Sequence, residues 1–168
     1  MAKPSSRLPT YRLWAPWRAR FLSQKPGRRC IFCTAKMSAD ERRHHVILRD
    51  AKVFALLNRY PYSNGHLLIA PYRHVRSLEA LSDSEWTGIL QVSKYLSKRL
   101  RQILHPKGFN IGLNLGRVAG AGIPGHLHLH LVPRWDGDTN FMPALTSTRV
   151  ISQSLDELHT LLTRRSKA

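Results

Sequence analysis

The amino-acid sequence predicts an α+β domain in which antiparallel strands pack with one long and one shorter helix. Three observations carry that prediction: two strictly alternating stretches near residues 110 and 128, a helical period over residues 82–104, and a second, shorter helical period from Ser154. With 168 residues and 42% hydrophobic side chains, the chain has room for one domain with a substantial core.

In chain order, residues 1–29 read as a basic N-terminal extension rich in Pro, Arg and Ser, ahead of a single domain over residues 30–168. Its apolar island, LWAPWR, carries Trp14 and Trp17, which read as packing or dimer contacts rather than platforms for stacked bases. VFALLN (residues 53–58) and HLLIA (residues 66–70) are short apolar runs, and the intervening RYPYSNG holds Pro61 and the Asn64–Gly65 pair, which is turn chemistry. Two strands and a loop follow from that pattern.

From Ser82 the period changes. Ser82 and Glu85 form a capping box; Trp86, Ile89, Leu90, Leu96, Leu100, Ile103 and Leu104 fall on one helical stripe, and Pro106 and Gly108 stop it. The shorter helix opens the same way, at Ser154 and Glu157, and should bury Leu155, Leu158, Leu161 and Leu162.

Between the helices, FNIGLNLG puts Phe109, Ile111, Leu113 and Leu115 on one face and Asn110, Gly112, Asn114 and Gly116 on the other. HLHLHLV does the same, with Leu127, Leu129 and Leu131 toward the core and His126, His128 and His130 away from it. Paired as a hairpin, the two strands present three histidines and Asn114 on one surface. The connecting RVAGAGIPG carries Gly120, Gly122 and Gly125, whose backbone can turn N–H groups toward an anion; with Ala121, Gly120 and Gly122 read as the phosphate cradle.

Charge and cysteine content bound the function. Lys and Arg number 27 against 10 Asp and Glu, a formal +17 that draws polyanions: nucleic acid, an acidic membrane or a phosphate-rich small molecule. No apolar run reaches the roughly 20 residues of a membrane span and the N-terminus lacks a signal peptide's apolar stretch, so a cytoplasmic protein with no membrane partner is expected. Cys30 and Cys33 are the only cysteines, which excludes a disulfide framework. Their CIFC spacing suits a redox pair or half a zinc site, and no thioredoxin-like context favours the first; His44, His45, His66, His74 and His126 are all available to complete the second.

Three alternate histidines followed by Pro133 and Arg134 are a far more specific signal than any one of them. The run His126, Leu127, His128, Leu129, His130, Leu131, Val132 resembles the histidine triad superfamily, nucleotide hydrolases and transferases with the signature His-φ-His-φ-His-φ-φ, where φ is apolar. The resemblance extends over about residues 30–142, and LNRYPYSNGHLLIAPYR, HPKGFNIGLNLG and VPRWDGDTNF are most similar to the bacterial branch that degrades diadenosine tetraphosphate by phosphorolysis. It implies a HIT-like fold with a sheet of about five strands, and a homodimer.

A neutral imidazole is a competent nucleophile toward phosphorus, and preorganised donors must hold the negative charge on the transferring phosphoryl group. The resemblance assigns attack on the α-phosphate to His128, contact with the phosphate oxygens to His130, and nucleotide contacts to Asn58 and Asn114, with His126 completing the triad. It also implies a structural zinc on Cys30, Cys33, His74 and His126. One departure stands out: where much of the family has a Ser or Gln donor in the loop before the triad, this chain has Gly122.

The function expected is cleavage of a dinucleoside polyphosphate through a nucleotidyl-histidine, with inorganic phosphate favoured over water as second acceptor. Hydrolysis of nucleoside phosphoramidates by the same His128 is one alternative. The other is a basic nucleic-acid-binding protein, with or without removal of adenylate from DNA ends.

Overall fold

The computed structural model describes residues 30–139 and 151–164. The extension with Trp14 and Trp17, the resemblance beyond Thr139, and the final four residues lie outside the described part.

Five antiparallel strands form one sheet: β1 (Val46–Arg49), β2 (Val53–Leu57), β3 (Leu67–Pro71), β4 (Gly108–Leu113) and β5 (Leu129–Arg134), in the spatial order β1-β2-β3-β5-β4. Three helices accompany it: α1 (Ile31–Met37), α2 (Asp83–Leu104) and α3 (Leu155–Thr163). The α+β class, the long and short helices and the five-stranded sheet agree with the sequence expectation; α1 is an addition to it.

β2 and β3 are apolar at every position because both faces of the sheet are covered there. On one face Val53, Ala55, Leu57, Leu67 and Ile69 meet Ile89, Leu96 and Leu100 of α2 and Leu158 and Leu162 of α3. On the other, Phe54, Leu56, Leu68 and Ala70 pack against Phe32 and Ala35 of α1. A strand buried on two sides has no polar alternation to show. β5 alternates because its second face carries chemistry: Leu127, Leu129 and Leu131 enter the α2 core, while His130 stands opposite Leu68 on the α1 side.

Both capping boxes form as read, at Ser82 with Glu85 and at Ser154 with Glu157. The buried stripe of α2 is rotated from the expected one. Gly88, Ile89, Val92, Ser93, Leu96 and Leu100 face the core, whereas Trp86 and Leu90 are exposed. Gly88 faces the sheet, where a Cβ would stand 3.4 Å from Val53, an ordinary van der Waals contact. On α3, Leu158, His159 and Leu162 are buried and Leu155 and Leu161 only partly so. His45, one of the histidines available as a metal ligand, is half-buried away from the cysteines, in a left-handed conformation (φ 53°), with its Nε2 3.6 Å from Asp156 of α3.

β4 pairs with β5 in the expected hairpin, Gly112 opposite His130 and Leu113 opposite Leu129. As the edge strand it extends past the cover that α2 gives β2, β3 and β5, so Ile111, expected in the core, is 55% exposed. The ladder of β5 begins only at Leu129. The residues before it pair elsewhere: the Leu127 N–H donates to Val75 O at 2.6 Å, tying the histidine run to the loop that carries His74.

Candidate active site and metal cluster

The first histidine turns inward. His126 is fully buried, and its Nε2–H donates to Pro71 O at 2.9 Å, which leaves the Nδ1 lone pair facing Cys30 Sγ at 3.4 Å and Cys33 Sγ at 3.7 Å. His74 Nδ1 lies 3.3 Å from Cys33 Sγ, and one donor atom from each of the four residues falls within 4.8 Å of all the others. A tetrahedral zinc with ordinary Zn–S and Zn–N bonds separates a sulfur from a nitrogen ligand by about 3.6 Å. The donor set and its spacing therefore fit that ion. Burial holds the His126 pKa down to about 4, which keeps the ring neutral as a ligand must be; burial also pushes the Cys30 thiol up, the reverse of an activated redox thiolate.

Local structure explains the convergence. Cys30 caps α1 and Cys33 lies in its first turn, so the Cys-x-x-Cys spacing puts both sulfurs at one end of a short helix. Its other end is held by Arg49, whose guanidinium donates to the carbonyls of Ala35, Lys36 and Ser38. Gly125 leaves room for His74, since a Cβ there would stand 3.3 Å from the ring's Nε2.

The second histidine has one free nitrogen. His128 Nδ1–H donates to His126 O at 2.8 Å, so the lone pair resides on Nε2. Desolvation lowers the pKa of this nearly buried ring, which keeps that lone pair unprotonated at neutral pH. Phe32 and His130 flank it, each with its ring centroid 4.9 Å away.

The third histidine ends a relay. Tyr60 N–H donates to Asn58 Oδ1 at 3.0 Å, which turns the Asn58 amide nitrogen toward His66 Nδ1 at 3.2 Å, and Tyr62 N–H donates to the same nitrogen at 3.0 Å. Two donors on Nδ1 put the His66 proton on Nε2, which donates to His130 Nδ1 at 2.9 Å. Accepting on Nδ1 leaves the neutral His130 ring its proton on Nε2; that nitrogen lies 3.4 Å from Asn114 Nδ2, so the Asn114 amide accepts the proton with its oxygen turned toward the ring. The relay thus sets the tautomer of His130, whose ring centroid lies 4.9 Å from that of His128. Tyr62 lies flat on His130, with an interplanar angle of 12° and 5.7 Å between centroids.

His66 is the residue that sequence reasoning missed as part of this site, having weighed it only as a metal ligand. It precedes Leu68 by two positions, and the pairing of Leu68 with His130, which no local pattern discloses, puts both rings on one face. Asn58 stands behind His66. In the glycine loop, the Gly120 and Ala121 N–H groups donate to Arg117 O and Gly116 O, and Ala121 is buried. Arg134 fastens the far end of the hairpin, donating to Asn110 Oδ1 at 2.7 Å and to Asp138 Oδ1 at 2.9 Å.

The HIT domain family profile matches residues 39–137. The chain belongs to the HIT domain family. As a HIT-domain protein it is 37% identical over 159 residues to a protein of Mycobacterium tuberculosis named AP-4-A phosphorylase, covering 90% of this chain and 82% of the relative. Among solved structures, a histidine triad nucleotide-binding protein of Sulfolobus tokodaii superimposes with a TM-score of 0.63 at 25% identity, covering 80% of this chain and 89% of that one. A Zn-bound histidine triad family protein of Mycobacterium smegmatis shares the fold with a TM-score of 0.58 at 24% identity, covering 89% and 90%. No helix among the described residues is long and apolar enough to cross a membrane.

Proposed function

We propose that this HIT-domain chain is a nucleotide-processing enzyme that cleaves the α-phosphate bond of a dinucleoside polyphosphate, diadenosine tetraphosphate being the favoured substrate. The carrying observation is the lone pair on His128 Nε2, fixed there by the Nδ1–H bond to His126 O. Nε2 attacks the α-phosphorus, a P–N bond forms, and the P–O bond to the polyphosphate breaks, taking its electron pair to the leaving oxygen. The His130 Nε2–H, delivered through His66, donates to the phosphoryl oxygens as charge builds on them. Asn114 and the loop at Gly122 complete the nucleotide-binding surface, and Asn58 acts on it through His66.

The absent side chain at Gly122 favours polyphosphates over phosphoramidates. An amine leaves only after gaining a proton, whereas a nucleoside triphosphate leaves as an anion and needs no such donor. In the second displacement inorganic phosphate attacks the adenylated His128, restoring the imidazole and giving ADP beside the ATP already released. The name of the 37%-identical relative supports phosphate over water as the acceptor.

Cys30, Cys33, His74 and His126 would hold zinc as a closed structural cross-link, with no position left for water. The edge strand β4 supports a homodimer: among the described residues its outer edge is unpaired, with Ile111 and the following Leu115 leaving exposed apolar surface there.

Product analysis with diadenosine tetraphosphate, with and without inorganic phosphate and beside His128→Ala, tests the reading. Phosphate-dependent ADP plus ATP, abolished in the variant, is the expected result. AMP plus ATP regardless of phosphate would make the enzyme a hydrolase, and no turnover in either condition would remove the substrate class.

A further inference from the structure

The Cys30–Cys33 helix also reaches the nucleophile. Phe32, between the two cysteines, is completely buried, and its ring lies 4.9 Å from the centroid of His126 at 42° and 4.9 Å from that of His128 at 36°. One aromatic ring therefore touches both the cluster histidine and the attacking one. The ring is itself immobilised: Phe54 meets it edge-on at 6.3 Å, and Tyr72 stacks on Phe54 at 5.2 Å. At the C-terminal end of α1, Arg49 and the bond from Lys36 Nζ to Tyr72 O at 2.8 Å fix the helix against the sheet.

His128 needs such a wall. The Nδ1–H bond to His126 O is the polar tie that orients its ring, and a half-turn about the Cβ–Cγ bond would break that tie and exchange the nitrogen presented to a substrate. On the opposite side His130 stands at 4.9 Å and 58°, so the His128 ring is held between an apolar aromatic and a polar one.

We propose that Phe32 is a positioning residue for the nucleophile: it holds the His128 imidazole in the orientation that presents Nε2, and couples that orientation to the helix bearing two of the four cluster donors. The inference rests on His128 being the attacking group. It gives α1, which contributes no group to the reacting phosphate, a part in the rate.

The test is Phe32→Leu in the full chain, with kcat and KM for diadenosine tetraphosphate, zinc content, and the ¹⁵N shifts of the His128 ring at one fixed pH near 8. A displaced but chemically intact nucleophile lowers kcat by about ten- to a hundredfold and leaves KM within about twofold. The wild-type ring should show a single Nδ1–H tautomer and the variant a mixture, with zinc retained in both. Phe32→Tyr, which keeps the ring, should recover kcat to within about threefold of wild type. Should Phe32→Leu fail to fold, Phe32→Met, similar in volume and without the ring, takes its place with the same two outcomes. A folded, zinc-loaded variant with wild-type kcat and an unchanged His128 tautomer overturns the proposal. The tautomer reading needs no substrate, so a wrong substrate class would silence turnover in the wild type and leave this arm intact.

Discussion

The two faces of the 126–131 run share a backbone and perform opposite tasks. Leu127, Leu129 and Leu131 enter an aliphatic core under α2 and α3, where shape and volume matter and many apolar residues of similar size would serve. His126, His128 and His130, one step out of phase, have their ring nitrogens assigned individually: Nε2 of the first to Pro71 O, Nδ1 of the second to His126 O, Nδ1 of the third to His66. The contrast teaches that one face determines whether the chain folds and the other which nitrogen of each ring carries a proton.

Adjacent substitutions break the comparison most sharply. His128→Ala should lower turnover roughly a thousandfold or more while costing less stability than the loss of a core leucine. Leu129→Ala should do the reverse, costing about 2–5 kcal/mol of stability, read by denaturant unfolding, with the activity of the folded fraction retained. Comparable losses of stability from the two would erase the distinction between the faces.

A smaller effect should come from His66→Phe. The ring volume survives, but the donor to His130 Nδ1 is lost and the Tyr62 N–H and Asn58 amide lose their acceptor. Turnover should fall about ten- to a hundredfold, more in kcat than in KM. An unchanged kcat would reduce the relay to packing.

The smallest effect tests the electrostatics that hold the His74 loop to α2. Arg73 bonds Glu85 and lowers its carboxyl pKa from 4.5 to about 2, despite a burial penalty in the other direction. As pH falls below 4.5 the unfolded chain takes up this proton first, so the contribution is complete above 4.5 and is lost on the way down to about 2. Because the Arg73 side chain is more than half exposed, solvent screens the pair, and Glu85→Gln should cost roughly 1–3 kcal/mol at neutral pH. The variant's stability should also flatten across that acid window. A wild-type slope there in Glu85→Gln would assign the acid sensitivity to other groups.

How much of this was legible depended on range. The capping boxes, the 109–116 and 126–131 alternation and the hairpin between them are local patterns, and the structure contains them. The rotation of α2 was not local: Trp86 and Leu90 fit a helical stripe as well as Val92 and Ser93 do, and which stripe is buried is decided by packing against strands distant in sequence. α1 was hidden because seven residues carry too little period to read, and a cysteine pair drew the eye to ligands instead. For the cluster, spacing disclosed Cys30 and Cys33, while His74 and His126 came from family resemblance because no sequence rule links residues so far apart. His66 escaped because its partner lies 64 residues away, across a strand pairing that only the fold reveals.

That distance makes the relay a long-range contact, closed only by tertiary structure. β1, β2 and β3 form a meander of near neighbours, and β4 joins β5 as a separate unit beyond α2; His66 belongs to the first and His130 to the second. Until the seam between β3 and β5 closes, neither group holds the contact that sets the His130 tautomer. The reactive surface thus spans the junction of two strand groups distant in sequence, and recovered turnover after denaturation reports that the two have met, a stricter standard than the return of helix and strand.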